Sequence, residues 1–184
     1  MKDKLLYTTK ELFDSYLRGK YYTIPEYQRG YKWETKDIDC LLKDINNFSK
    51  NDDLDLFYCL QNITLVENKD SFNVVDGQQR LTTLAIILSY LGEYSLINEK
   101  IQYNIRKETE EFLKEYIYKS SNIKTIENWD QLLSISSLEN KDYDYQDVYY
   151  LFNAYKTVQS WFDSYPHKEP EMRDKVLNHI KIIV

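Results

Sequence analysis

Phe72-Asn73-Val74-Val75-Asp76-Gly77-Gln78-Gln79-Arg80-Leu81-Thr82-Thr83-Leu84 changes its periodicity halfway along. Phe72–Val75 is a β-rich run, and from 78 to 91 the leucines Leu81, Leu84, Leu88 and Leu91 recur at helical spacing. Between them Gly77 permits a sharp turn, so the segment predicts a strand–turn–helix junction. Upstream, Leu60–Val66 is a second β-rich run, separated by Glu67-Asn68-Lys69-Asp70-Ser71, which predicts a hairpin with a five-residue loop. Tyr21–Ile24 predicts a further strand, ended by Pro25, which cannot donate to a ladder. Leu12, Phe13, Tyr16 and Leu17 predict a first helix of about three turns closed by Gly19. Thr35 is suited to cap a helix that carries Ile38, Leu41, Leu42, Ile45 and Phe48 on one face, and 51–55 reads as a polar loop.

Beyond residue 95 the pattern predicts helices only. The clearest is 147–163, with Val148, Leu151, Phe152, Tyr155, Val158 and Phe162 in one stripe, and the last, 171–181, runs into Ile182-Ile183-Val184. The expected class is therefore α+β: a small mixed sheet with packed helices in 1–95, then a helical extension in 96–184. An apolar end with no polar tail invites strand pairing, so the chain reads as a piece of a longer protein.

Composition limits the functions. A chain of 184 residues can bury a sizeable core without metal or disulfide staples. The net charge of −6 is divided evenly between 1–95 and 96–184, which excludes the broad basic face of a sequence-independent DNA binder. One basic island stands out: Arg18, Lys20, Arg29, Lys32 and Lys36. Cys40 and Cys59 lack metal-ligand spacing and read as small core residues, and most of the 18 tyrosines read as core packing. No signal peptide or membrane-length apolar run is present, so the expected location is cytoplasmic and no membrane partner is expected.

Two clusters carry chemistry. Asp76-Gly77-Gln78-Gln79-Arg80 opens a helix, where unpaired backbone N–H groups and the dipole attract anions. Gln78 and Gln79 add amide donors, and Arg80 adds a fork suited to phosphate oxygens. Asp76 could hold a divalent metal, orient a water, or cap the helix. Gln28-Arg29, with Tyr31 and Trp33 nearby, supplies a second cation and aromatic walls, the parts needed for phosphates plus a stacked base.

Ile24-Pro25-Glu26-Tyr27-Gln28-Arg29-Gly30-Tyr31-Lys32-Trp33, Tyr58–Val66 and Val75–Leu84 together resemble the N-terminal domains of GmrSD-type restriction endonucleases, within the ParB/sulfiredoxin-like fold group. The resemblance is strong over about residues 5–95 and loose beyond. It implies a nucleotide-binding, often nucleotide-hydrolysing domain that regulates DNA cleavage in defence against modified foreign DNA, and with the metal reading of Asp76 the expected cofactors are a nucleoside triphosphate and Mg²⁺. The family's Asp-Gly-Gln-Gln-Arg motif falls on Asp76, Gly77, Gln78, Gln79 and Arg80, with Asp76 and Arg80 as catalytic candidates. Its Gln-Arg-x-Tyr-x-Trp element falls on Gln28, Arg29, Tyr31 and Trp33. Many members have Gly-Ser where this chain has Gln61-Asn62. The family's nuclease region contains histidine and lies further along; His167 and His179 have no such motif around them, so DNA would be met through the full-length protein or a partner chain. The alternatives are a non-catalytic module for nucleotide or DNA phosphate, a sulfiredoxin-like reductase, and a nuclease. The reductase fails because Gln78 stands where a nucleophilic cysteine is needed. The nuclease fails because Asp76 is the one carboxylate in the motifs.

Overall fold

The computed structural model describes residues 4–49, 56–118 and 122–184. In chain order the elements are β1 (Leu6–Thr8), α1 (Thr9–Phe13), β2 (Tyr21–Ile24), α2 (Thr35–Asn47), β3 (Tyr58–Asn62), β4 (Thr64–Glu67), β5 (Ser71–Asp76), α3 (Gln78–Tyr90), α4 (Tyr94–Ile97), β6 (Ile101–Tyr103), α5 (Lys107–Phe112), α6 (Trp129–Leu138), α7 (Gln146–Ser164), α8 (Glu169–Asp174) and β7 (Ile180–Ile183). The fold is α+β, with two small mixed sheets among helices. One sheet has the order β4-β5-β2-β6, with β2 parallel to both neighbours and β4 antiparallel to β5. The other has the order β1-β7-β3, with β7 antiparallel to β1 and parallel to β3.

The strands after residue 95 correct the expectation of helices only. β6 extends the first sheet and β7 is the centre of the second, so both sheets draw on both halves of the chain. Ile180 and Ile182 are fully buried, and the apolar character of 180–183 is that of a strand paired along both edges. The run Leu60–Val66 is likewise two strands, because the chain changes sheets at Ile63. Gln61 takes a φ of 56°, the β3–β7 register slips between Cys59 and Asn62, and the Ile63 N–H still donates to the Ile183 carbonyl at 2.8 Å. Thus β3 joins one sheet and β4 the other. The β4–β5 loop is shorter than five residues because Glu67 pairs with Phe72.

Two helix ends also differ from expectation. α1 stops at Phe13, and the chain turns through Arg18 and Gly19, both at positive φ. Thr8 caps its start, exchanging hydrogen bonds with Glu11. In α2 the N-cap is Glu34, whose backbone N–H donates to Asp37. Thr35 is already helical, and its hydroxyl meets that of Thr157 on α7 at 3.2 Å. The expected polar loop at 51–55 lies outside the described residues.

α3 is the hub. Apart from Arg80 and Tyr90, every residue from Gln78 to Tyr90 is buried, so the helix is covered on all sides rather than along one leucine face. It lies against α7 and α4, and all six residues of the predicted α7 stripe are buried. Cys40 and Cys59, expected in the core, are free thiols exposed on α2 and β3. No helix of the described residues is long and apolar enough to cross a membrane.

Candidate functional site

The junction of β5 and α3 is set by Gly77. Its φ is 89°, and a Cβ there would stand 2.9 Å from Ile63 Cγ1 and 3.2 Å from the Asn62 carbonyl oxygen. Glycine is needed twice over, for the left-handed backbone and for the close approach of the β3–β4 crossover. Gly77 is also the N-cap of α3. Asp76 is the last residue of β5, which removes the capping reading of its carboxylate.

The loop 25–33 is stapled across this junction. Gln78 Nε2 donates to the Arg29 carbonyl at 2.6 Å, and Gln79 Nε2 to the Gly30 carbonyl at 3.2 Å. The Lys32 N–H donates to Gln79 Oε1 at 2.8 Å, and Gln28 Nε2 to the Val75 carbonyl at 2.8 Å. The two first-turn glutamines therefore serve to position the loop, which pattern alone could not show. Behind the loop, Asp147 at the start of α7 closes the space: a Cβ on Gly30 would lie 2.7 Å from Asp147 Cβ. Asp147 is buried, held by the Thr109 hydroxyl and by Arg106, whose guanidinium stacks on Tyr145. Sequence reasoning missed this support, since an acidic residue in a first helical turn reads as a favourable dipole partner and nothing more.

Together these contacts form a cavity of about 180 Å³ lined by Gln28, Arg29, Trp33, Asp76, Gly77, Gln78, Gln79 and Arg80. Two distant stretches of chain thus meet in one place. Tyr31 is the exception among the candidates. It is fully buried, its hydroxyl bonded to that of Thr83 at 2.8 Å and pushed well above its ordinary pKa by burial. It anchors the loop from below and is not an aromatic wall. Trp33 is half-buried and remains at the rim.

The charged groups divide by role. Arg80 is committed to the fold: its guanidinium donates to Gln61 Oε1 at 2.9 Å and to the Asn62 carbonyl at 2.7 Å, with Asp76 Oδ2 at 3.4 Å. Gln61 and Asn62 are its partners. Arg29 is exposed and has neither ion pair nor side-chain hydrogen bond among the described residues. Two buried polar atoms here lack hydrogen-bond partners among the described residues, Gln78 Oε1 and Arg80 Nε. No group of three His, Cys, Asp or Glu side chains among the described residues could hold a metal ion. His167 is exposed, and His179 lies 3.5 Å from Asp174, both far along the chain from this cavity's residues.

Residues 9–184 match the family described as GmrSD restriction endonuclease, N-terminal domain. None of the curated proteins compared with the chain matches it.

Proposed function

Because the chain belongs to the GmrSD restriction endonuclease N-terminal domain family, we propose that the β5–α3 cavity binds the phosphates of a nucleoside triphosphate and that binding regulates DNA cleavage carried out elsewhere in the protein or in a partner chain. Membership in a restriction endonuclease family gives the chain a defence-related role and implies contact with DNA. The observation that carries the nucleotide reading is one cavity that brings together a helix N-terminus, the exposed Arg29 and Gln78, a residue only 5% exposed whose buried Oε1 has no partner among the described residues. A buried acceptor left unpaired costs about 1–3 kcal/mol, so it points to a ligand that donates to it or coordinates it.

In this reading the first-turn amides of α3 and the Arg29 guanidinium hold phosphate oxygens. Arg80, fixed by the Asn62 carbonyl, offers its charge without reorganising. The donor set suits Mg²⁺ held largely by phosphate, since Mg²⁺ needs only one or two carboxylates from the protein. Asp76, whose side chain is 66% exposed, and Gln78 Oε1 would hold it, and when bound it neutralises developing charge on the phosphates. Asp76 would also orient the attacking water. Its solitude as a carboxylate favours the second reading, a module that binds nucleotide without hydrolysis, and turnover by the purified chain separates the two.

The test is thermal unfolding with each nucleoside triphosphate, with and without Mg²⁺. A ligand at about 100 times its Kd adds about 2.7 kcal/mol, enough for a clear rise in Tm. Arg29→Ala, an exposed change, should leave the unliganded Tm alone and abolish most of that rise. No shift with any nucleotide in the wild-type chain would overturn the proposal.

A further inference from the structure

We infer that the nucleoside half of the ligand lies in a second, adjoining groove between α2 and β3, an inference that rests on the phosphate reading of the β5–α3 cavity. That cavity, at about 180 Å³, is smaller than the roughly 300 Å³ at which ligand pockets begin, so it cannot enclose a nucleoside triphosphate. A groove of about 290 Å³ adjoins it, lined by Trp33, Asp37, Cys40, Leu41, Asp44, Tyr58, Cys59, Leu60, Gln61 and Arg80. Trp33 and Arg80 line both. Three further cavities, beside Asn153, Ser15 and Lys114, share no residue with the phosphate cavity.

The chemistry of the groove suits a base and ribose. Leu41 and Leu60, almost fully buried, give an apolar floor. Trp33 offers an indole at the border, and a base stacked on an aromatic side chain gains about 1–3 kcal/mol. The polar edges are acceptors: the Asp37 carboxylate, and the Asp44 carboxylate, which takes a hydrogen bond from the Tyr58 hydroxyl at 3.2 Å. These edges suit the N–H groups of a base and the hydroxyls of a ribose. Charge fixes the direction of the ligand. Asp37 and Asp44 repel phosphate from the groove, while Arg29, Arg80 and the α3 N-terminus attract it to the smaller cavity.

Cys40 on α2 and Cys59 on β3 are free, exposed and part of the groove lining, so the native chain carries its own reporters. Their rates of reaction with a thiol reagent would be measured alone, with saturating GTP and with saturating inorganic triphosphate, while calorimetry records binding of each. GTP should slow labelling at both cysteines at least about tenfold, because the occupied groove excludes the reagent. Inorganic triphosphate should bind and leave both rates unchanged. Cys40→Trp, an exposed substitution that fills the groove, should weaken GTP at least about tenfold by the same exclusion and keep wild-type affinity for inorganic triphosphate. If GTP binds and the thiols react at the unliganded rate, the groove assignment falls and the phosphate site stands. If inorganic triphosphate protects as well as GTP does, the groove assignment also falls, since protection then needs no nucleoside. If neither ligand binds and no other nucleoside triphosphate raises Tm, both proposals fall together.

Discussion

Arg80 shows how far a residue's identity is from its job. The sequence puts an arginine in the first turn of an anion-attracting helix, and the natural expectation is a phosphate clamp whose loss leaves folding untouched. The structure adds what no local pattern contains: the Asn62 carbonyl and Gln61 amide, brought within reach by a strand crossover 18 and 19 residues away. Arg80→Ala should therefore destabilise the protein by about 1–3 kcal/mol, with nucleotide affinity falling as well. At this chain length each kcal/mol lowers Tm by about 2–4 °C, which differential scanning calorimetry resolves. An unchanged Tm would show that these hydrogen bonds add nothing. Asp76 makes the opposite case. It is exposed and Gly77 holds the cap position, so Asp76→Asn should leave Tm near wild type while sharply reducing Mg²⁺-dependent hydrolysis, or Mg²⁺-dependent binding where hydrolysis requires another region. Removing the carboxylate also removes a like charge beside the phosphates, so metal-free binding should tighten slightly. Full Mg²⁺-dependent activity in Asp76→Asn would remove the carboxylate from the chemistry.

At the scale of elements, long amphipathic stretches were legible and short strands were not. β2 matches the strand read from Tyr21–Ile24, and α2, α3 and α7 fall where their apolar spacing puts them, because a periodicity sustained over several turns outweighs local noise. The break at Ile63 was not read: Leu60–Val66 looks like one β-rich run, and the pairing of β3 with β7 and of β4 with β5 reveals two strands. That break matters to the site, since the crossover it creates supplies Ile63 and Asn62 as the wall against Gly77. Gly77→Ala should thus cost more than its backbone strain of about 1–2 kcal/mol, because the new Cβ also meets Ile63. Chemical denaturation should show the loss, and repacking Ile63 to Val or Ala should not restore more than part of it, since φ stays at 89°. Full recovery in the double variant would mean that contact, and not the left-handed backbone, is what demands glycine.

For the whole molecule, the α+β class and the pairing of Asp76–Arg80 with Gln28–Trp33 were legible, whereas the way the two halves of the chain combine was not. β6 and β7 are three and four residues long, too short to show alternation, and Ile182-Ile183 read as an exposed end because its partners, β1 and β3, are more than a hundred residues away. With β7 at its centre, the second sheet has no β1–β3 pairing of its own. Lys175 adds a further tie between the halves: it is 3% exposed, and its ammonium donates to the Asn46 carbonyl at the end of α2 at 2.8 Å while pairing with Glu171. Residues 1–95 expressed alone should therefore fail to fold. They would keep β4, β5 and β2 but lose β6, β7 and the cover that α7 gives to α3, leaving the apolar side chains of that helix in water. The full chain should unfold in one transition, with far- and near-ultraviolet circular dichroism coincident. The fragment should give dispersed amide resonances only when 96–184 is supplied in trans. A cooperative thermal transition in 1–95 alone would show instead that the phosphate cavity stands on an independently folding sheet, and that the helices and strands after it are an addition.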